Sequence, residues 1–192
     1  MFDKDRFIED CRVAMRTERD SRAAIRALVA SAVSNPGAVL KSLGEPHRSG
    51  VEVLYRGTDV TILNLSWGPL MQVRPHDHRM WAVIGIYGGR EQNRFFRRGE
   101  TGLEQHSARE LEAREVAALG EQTIHAVTNP LDSITSAIHV YGGDFFDTPR
   151  SEWDPTTLEE RPYDFANTMR EFEAANARLT SGGVGRGRTT GR

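Results

Sequence analysis

The sequence predicts a mainly β fold: a sandwich or barrel of short strands, covered by helices at its N-terminus and closed by one helix near its C-terminus. Three observations carry this. From about residue 50 the apolar pattern takes a period of two, the β-type segments are short and punctuated by glycine turns, and helical spacing is confined to the two ends. The expected organisation is one domain, with a helical cover over 1–45, β-strands over 46–150, a loop and helix over 151–180 and a disordered tail over 181–192.

Phe7, Ile8, Cys11 and Met15 fall at helical spacing, and Ile25, Leu28, Val29 and Ala32 do so again after Asp20 and Ser21, which can cap a second helix. A third helix is signposted by Asn35 as cap, Pro36 in the first turn and Gly44 as terminator. Val51 to Tyr55 and Val60 to Trp67 read as strands joined by the turn Arg56-Gly57-Thr58-Asp59. Arg94 to Arg98 continues the β pattern after Gly88-Gly89. Glu110 to Leu119 has helix propensity, but its tight place between Gly102 and Gly120 favours a strand. Ser133 to Tyr141 is a further strand ending at Gly142-Gly143, and Phe165, Met169 and Phe172 mark the last helix.

Bulk properties narrow the function classes. The 192 residues are 27% charged and 38% hydrophobic with a formal charge of -2, which gives no electrostatic reason to expect nucleic acid or an anionic membrane as partner. No apolar run approaches the length of a bilayer span, and the mixed-charge start Met1 to Arg6 does not read as a signal peptide. Cys11 is the single cysteine, so a reducing, cytoplasmic setting without disulfides is expected. It belongs to an apolar stripe and reads as a packed small hydrophobe. Pairing through strand edges would make a homodimer, and the sequence leaves monomer and homodimer both open.

The chemistry centres on Pro75-His76-Asp77-His78. Side chains two residues apart leave the same face of a strand, so His76 and His78 can aim two imidazoles at one point while Asp77 turns away. A third imidazole, His125, sits on another short strand between Gly120 and Asn129-Pro130. Three neutral imidazoles suit a borderline divalent metal and leave coordination positions for reactants. Zinc there makes hydroxide, whereas iron permits oxygen chemistry, and spacing alone does not separate them.

These residues resemble the two metal motifs of the cupin superfamily. They are most similar to the three-histidine thiol dioxygenases, the cysteine dioxygenase and 3-mercaptopropionate dioxygenase group. Trp67-Gly68, His76-Asp77-His78, Gly120, His125 and the run Ser136 to Tyr141 occur in that family's order, over about residues 20 to 150. The resemblance implies a cupin-type double-stranded β-helix, Fe(II) as cofactor, and a small thiol and O2 as the molecules bound, with a sulfinate as product. The carboxylate that an ordinary cupin carries shortly after His-x-His is missing across Arg79 to Val83, and Glu91 comes too late and reads as a surface charge at a strand end.

In that family a Ser-x-His-x-Tyr run lies beside the metal. Here His139 and Tyr141 match it, as catalytic candidates, and Ala137 replaces the serine. A substrate carboxylate needs a cationic or strong donor anchor. Arg56 is the first candidate, with Gln72 and Arg74 behind it, and Trp81 is expected to help keep water out. Two rival readings remain: a three-histidine oxygenase that cleaves a carbon–carbon bond in a diketone-like substrate, and a non-catalytic cupin that holds a metal or small ligand.

Overall fold

A computed structural model describes residues 1–100 and 102–182; most of the expected tail, from 183 on, lies outside the described residues. Three helices come first: α1 (Lys4–Thr17), α2 (Ser21–Val33) and α3 (Pro36–Leu43). Asp3, Asp20 and Asn35 cap them, each side chain accepting a backbone N–H from the first turn, and Gly44 ends α3 with φ 86°. Among the described residues eleven strands follow: β1 (Gly50–Arg56), β2 (Thr61–Trp67), β3 (Gln72–Asp77), β4 (Ala82–Gly88), β5 (Arg90–Gly99), β6 (Gly102–Glu112), β7 (Val116–Leu119), β8 (Ile124–Thr128), β9 (Thr135–Tyr141), β10 (Ser151–Trp153) and β11 (Glu160–Pro162). Helix α4 (Phe165–Gly182) completes the described chain. No single described helix is long and apolar enough to cross a membrane; α2 and α3 meet the length and composition test only as a pair bent by 89°.

The strands form two antiparallel sheets, in the orders β1-β2-β9-β4-β7 and β11-β10-β3-β8-β5-β6. The chain crosses from one sheet to the other at nearly every step from β2 to β9. Within that span only the β5–β6 hairpin stays in one sheet, as β1–β2 and β10–β11 do outside it. That winding is a double-stranded β-helix, as the sequence led us to expect. The ambiguous segment 110–119 resolves into the end of β6, a turn with Arg114 at φ 78°, and β7.

The first sheet is buried on both faces, which explains why β2 and β9 carry no exposed residue. Leu63, Leu65, Trp67, Ala82, Ile84, Ile86, Ala137 and Tyr141 face the interior between the sheets. Their neighbours Ile62, Val83, Tyr87, Ile138 and Val140 face the N-terminal helices, where Phe7, Cys11, Ile25, Val29 and Val33 cover them. Gly85 is required at that contact, because a Cβ there would run into Val29 and Val33 of α2. On the other side α4 lays Phe172 and Ala175 against the inter-sheet core, with Phe172 stacked on Trp67 at 5.6 Å. The space left between the sheets, under α4, holds the polar side chains.

Candidate metal centre

His76 on β3 lies directly opposite His125 on β8 in the antiparallel register. His78 follows at the turn after β3, where Arg79 takes a left-handed φ of 55°. A bulky residue holds that conformation only when its surroundings fix it. Here Asp77, turned away from the histidines and buried, pairs with Arg79 Nε at 2.6 Å and accepts the Ser151 N–H at 2.8 Å.

The three rings converge. The Nε2 atoms of His76 and His78 are 3.2 Å apart, and those of His78 and His125 are 3.4 Å apart. One possible ligand atom from each residue falls within 4.8 Å of the others, and no carboxylate or cysteine joins them among the described residues. The other ring nitrogens settle the protonation of His76 and His125. His76 Nδ1 is 2.8 Å from the Arg74 carbonyl oxygen and must donate to it, and His125 Nδ1 is 2.7 Å from Asn93 Oδ1. Each neutral ring then has a bare lone pair on Nε2. A proton on His78 Nε2 could be shared with only one of its two neighbours, whereas a cation among them satisfies all three nitrogens. An ion about 2.0–2.1 Å from each nitrogen would separate tetrahedral or octahedral neighbours by about 2.9–3.4 Å, so the spacing fits. His78 Nδ1 has no hydrogen-bond partner among the described residues.

Burial drives all three histidines toward neutrality, the form a metal needs. It pushes His76 down to about 4 against an opposing hydrogen bond to the Arg74 carbonyl. It also holds His78 and His125 well below the usual range, with the neighbouring imidazoles adding to the effect. An imidazole whose pKa is lower folded than unfolded contributes stability above its unfolded value, and that contribution is lost as pH falls. Metal-free protein is therefore expected to lose stability between about pH 6.5 and 4, read as a falling urea midpoint. A midpoint flat across that window would mean the histidines are not buried in the neutral form.

Around the cluster lies a small cavity, lined by Leu63, Trp67, Val127 and Tyr141 from the sheets, Phe145 and Tyr163 from loops, and Phe165, Thr168 and Phe172 from α4. Its free space of about 30 Å³ admits only a small ligand. His139 lies on the wall, with Nδ1 3.0 Å from the Tyr141 hydroxyl. Burial raises the Tyr141 phenol above its usual range, so it is a neutral hydrogen-bonding group.

The remaining sequence candidates lie elsewhere. Arg56 pairs with Asp144 at 3.0 Å and Asp147 at 2.8 Å and rests over the Phe146 ring, one layer outside the cavity wall. Gln72 is exposed on β3. Arg74 supplies its carbonyl to His76, while its side chain turns toward Glu152 at 3.6 Å. Trp81 packs among the residues under the N-terminal helices, on the opposite side of the first sheet, where Gly142 leaves room for its ring.

Two features escaped the sequence reading. Glu91, read as a surface charge, is fully buried. It accepts hydrogen bonds from Trp67 Nε1 at 2.7 Å and Asn93 Nδ2 at 2.8 Å. Arg150, in the loop after β9, is sandwiched between the rings of Phe145 and Tyr163, each 4.1 Å from its guanidinium carbon. It donates to the Phe145 carbonyl, and its buried Nε has no partner among the described residues. Its charge also helps hold His76 and His78 down.

No protein-family model matches the chain. Among solved structures it is similar to an RmlC-like cupin family protein from Methanocaldococcus jannaschii, at 13% identity over 53% of this chain and 86% of that one, TM-score 0.45. A cupin superfamily protein from Desulfitobacterium hafniense matches at 14% identity over 53% and 83% of the two chains, TM-score 0.42. An oxalate decarboxylase variant from Bacillus subtilis matches at 11% identity over 54% and 28%, TM-score 0.41. Likeness this distant concerns the fold alone, which the strand order already establishes. The chain is a double-stranded β-helix with three imidazoles gathered inside it.

Proposed function

We propose that this chain is an iron(II)-dependent dioxygenase that converts a small, carboxylate-bearing thiol of the cysteine or 3-mercaptopropionate type to its sulfinate. The observation that carries this is a set of three convergent imidazole nitrogens with no carboxylate among them, facing a small cavity beside a guanidinium whose Nε has no partner among the described residues. Iron held by His76, His78 and His125 would supply the chemistry with O2 and favour the thiolate form of the substrate. The overall change, RSH + O2 → RSO2H, places both oxygen atoms on sulfur.

The chain's own residues do the rest. Arg150 anchors the substrate carboxylate, its fork held in one plane by the two flanking rings. Tyr141, held by His139, turns its hydroxyl oxygen to the cavity and orients the bound molecule. Phe145, Phe165 and Phe172 keep water from the cavity. Oxygen uptake by iron-loaded protein, screened against cysteine, 3-mercaptopropionate, cysteamine and a β-diketone, tests the reading. Sulfinate from a carboxylate thiol is expected; uptake with the diketone alone would overturn it in favour of carbon–carbon bond cleavage, and no uptake at all would favour a binding protein.

A further inference from the structure

A buried carboxylate is unfavourable unless its oxygens are satisfied, and Glu91 lies fully buried at a junction between two parts of the site. We propose that Glu91 is a positioning residue that fixes the tautomers of His125 and His139 together and so commits the Tyr141 proton to His139. The proposal rests on reading His125 as a ligand and Tyr141 as part of the site, and does not depend on the substrate being a thiol.

The first arm runs through Asn93. An ionised carboxylate only accepts hydrogen bonds, so the Asn93 group 2.8 Å from Glu91 Oε1 must be its NH2. The Asn93 carbonyl oxygen is thereby turned toward His125 and accepts from its Nδ1–H at 2.7 Å. His125 Nε2 is left bare for a cation. The strand makes this possible, since Glu91 and Asn93 are two residues apart on β5 and both face inward.

The second arm is direct. Glu91 Oε2 accepts from Trp67 Nε1 and faces His139 Nε2 at 3.7 Å. That distance exceeds a normal hydrogen bond, but it decides the tautomer. A bare lone pair facing a carboxylate is repelled and an N–H is attracted, and His139 Nε2 has no hydrogen-bond partner of its own among the described residues. Ala137, the neighbour on the same face of β9, has no hydroxyl to offer. In a neutral ring with Nε2 protonated, Nδ1 accepts the Tyr141 hydroxyl proton across 3.0 Å. Tyr141 then meets a ligand through its oxygen lone pairs, as an acceptor. Glu91 is suited to this, because the N–H groups of Asn93 and Trp67 each reach one of its oxygens and keep it an acceptor despite its burial.

Long-range proton–nitrogen NMR of histidine-labelled protein, metal-free and zinc-loaded, reads the tautomers directly, and His139→Asn identifies the His139 signals. His139 is expected to carry its proton on Nε2. Glu91→Gln should move that proton toward Nδ1 and weaken zinc binding about tenfold or more, as loss of a partner behind a ligand does; Glu91→Asp should restore the tautomer. A wild-type His139 protonated on Nδ1, or a tautomer unchanged in Glu91→Gln, would overturn the proposal. Should Glu91→Gln fail to fold, the wild-type spectrum still decides. Failure of every thiol to be oxidised would count against the proposed function and leave this result standing.

Discussion

Replacing His125 with alanine is expected to abolish iron binding and oxygen uptake together while leaving the metal-free protein as stable as the wild type, or slightly more so. The two halves of that expectation separate a ligand from a core histidine. A histidine that merely packs is satisfied by its hydrogen bonds, and its loss from a site only 1% exposed would weaken the fold. His125 does donate one bond, to Asn93, but its Nε2 competes with His76 Nε2 for the single proton that His78 Nε2 could share, at 3.4 and 3.2 Å. Removing one of the two acceptors that compete for His78 relieves that competition in the metal-free state and offsets the cavity left behind. With one of three ligands gone, affinity should fall by more than the roughly 10- to 100-fold seen when a partner behind a ligand is lost. Metal analysis after dialysis, with a urea titration of the metal-free form, checks both halves. Retained iron with a weakened fold would make His125 a structural residue.

Arg150→Ala is expected to lower kcat/KM for carboxylate thiols by about 10- to 100-fold, the scale of a hydrogen bond to a charged group. Cysteamine, which has no carboxylate, should be affected little. Arg150→Lys should not rescue the loss, because an ammonium cannot reproduce a planar fork between two rings. The rings of Phe145 and Tyr163 hold the guanidinium in place, and Phe145 and Tyr163 themselves line the cavity. A uniform loss across all thiols, cysteamine included, would assign Arg150 to holding the loop between β9 and β10 instead.

The parts of this molecule that were legible in its sequence are those set by local rules. Asp20, Asn35-Pro36 and Gly44 mark helix ends because capping uses side chains within three residues of the end they serve. His76 and His78 could be paired from strand alternation, and the β character of 110–119 followed from its length between two glycines. What alternation cannot give is the direction a strand faces. Glu91 follows Gly88-Gly89 and looks like a charge at a strand end, yet the pairing of β5 with β8 turns Glu91 and Asn93 inward to meet His125 and Trp67. Three polar residues in the run Glu91 to Asn93 disguise an interior face.

Arg150 was illegible for a different reason. It lies on an irregular loop, held between two rings of the cavity wall that lie on either side of it in sequence, and no periodic pattern encodes such an arrangement. Arg56 was favoured by chain order alone. Asp144 and Asp147, in that same loop, engage it outside the cavity. Trp81, at the mouth of β4 in sequence, falls under the helices because the first sheet is covered on both faces and either face accepts an aromatic ring.

The central claim is that His76, His78 and His125 bind one cation together and leave positions open. X-ray absorption at the iron edge of the loaded protein measures this directly. We expect one iron per chain, with the outer-shell scattering of three imidazole rings and lighter oxygen or nitrogen neighbours completing the shell. Scattering from two rings or fewer, or from a protein sulfur, would contradict it.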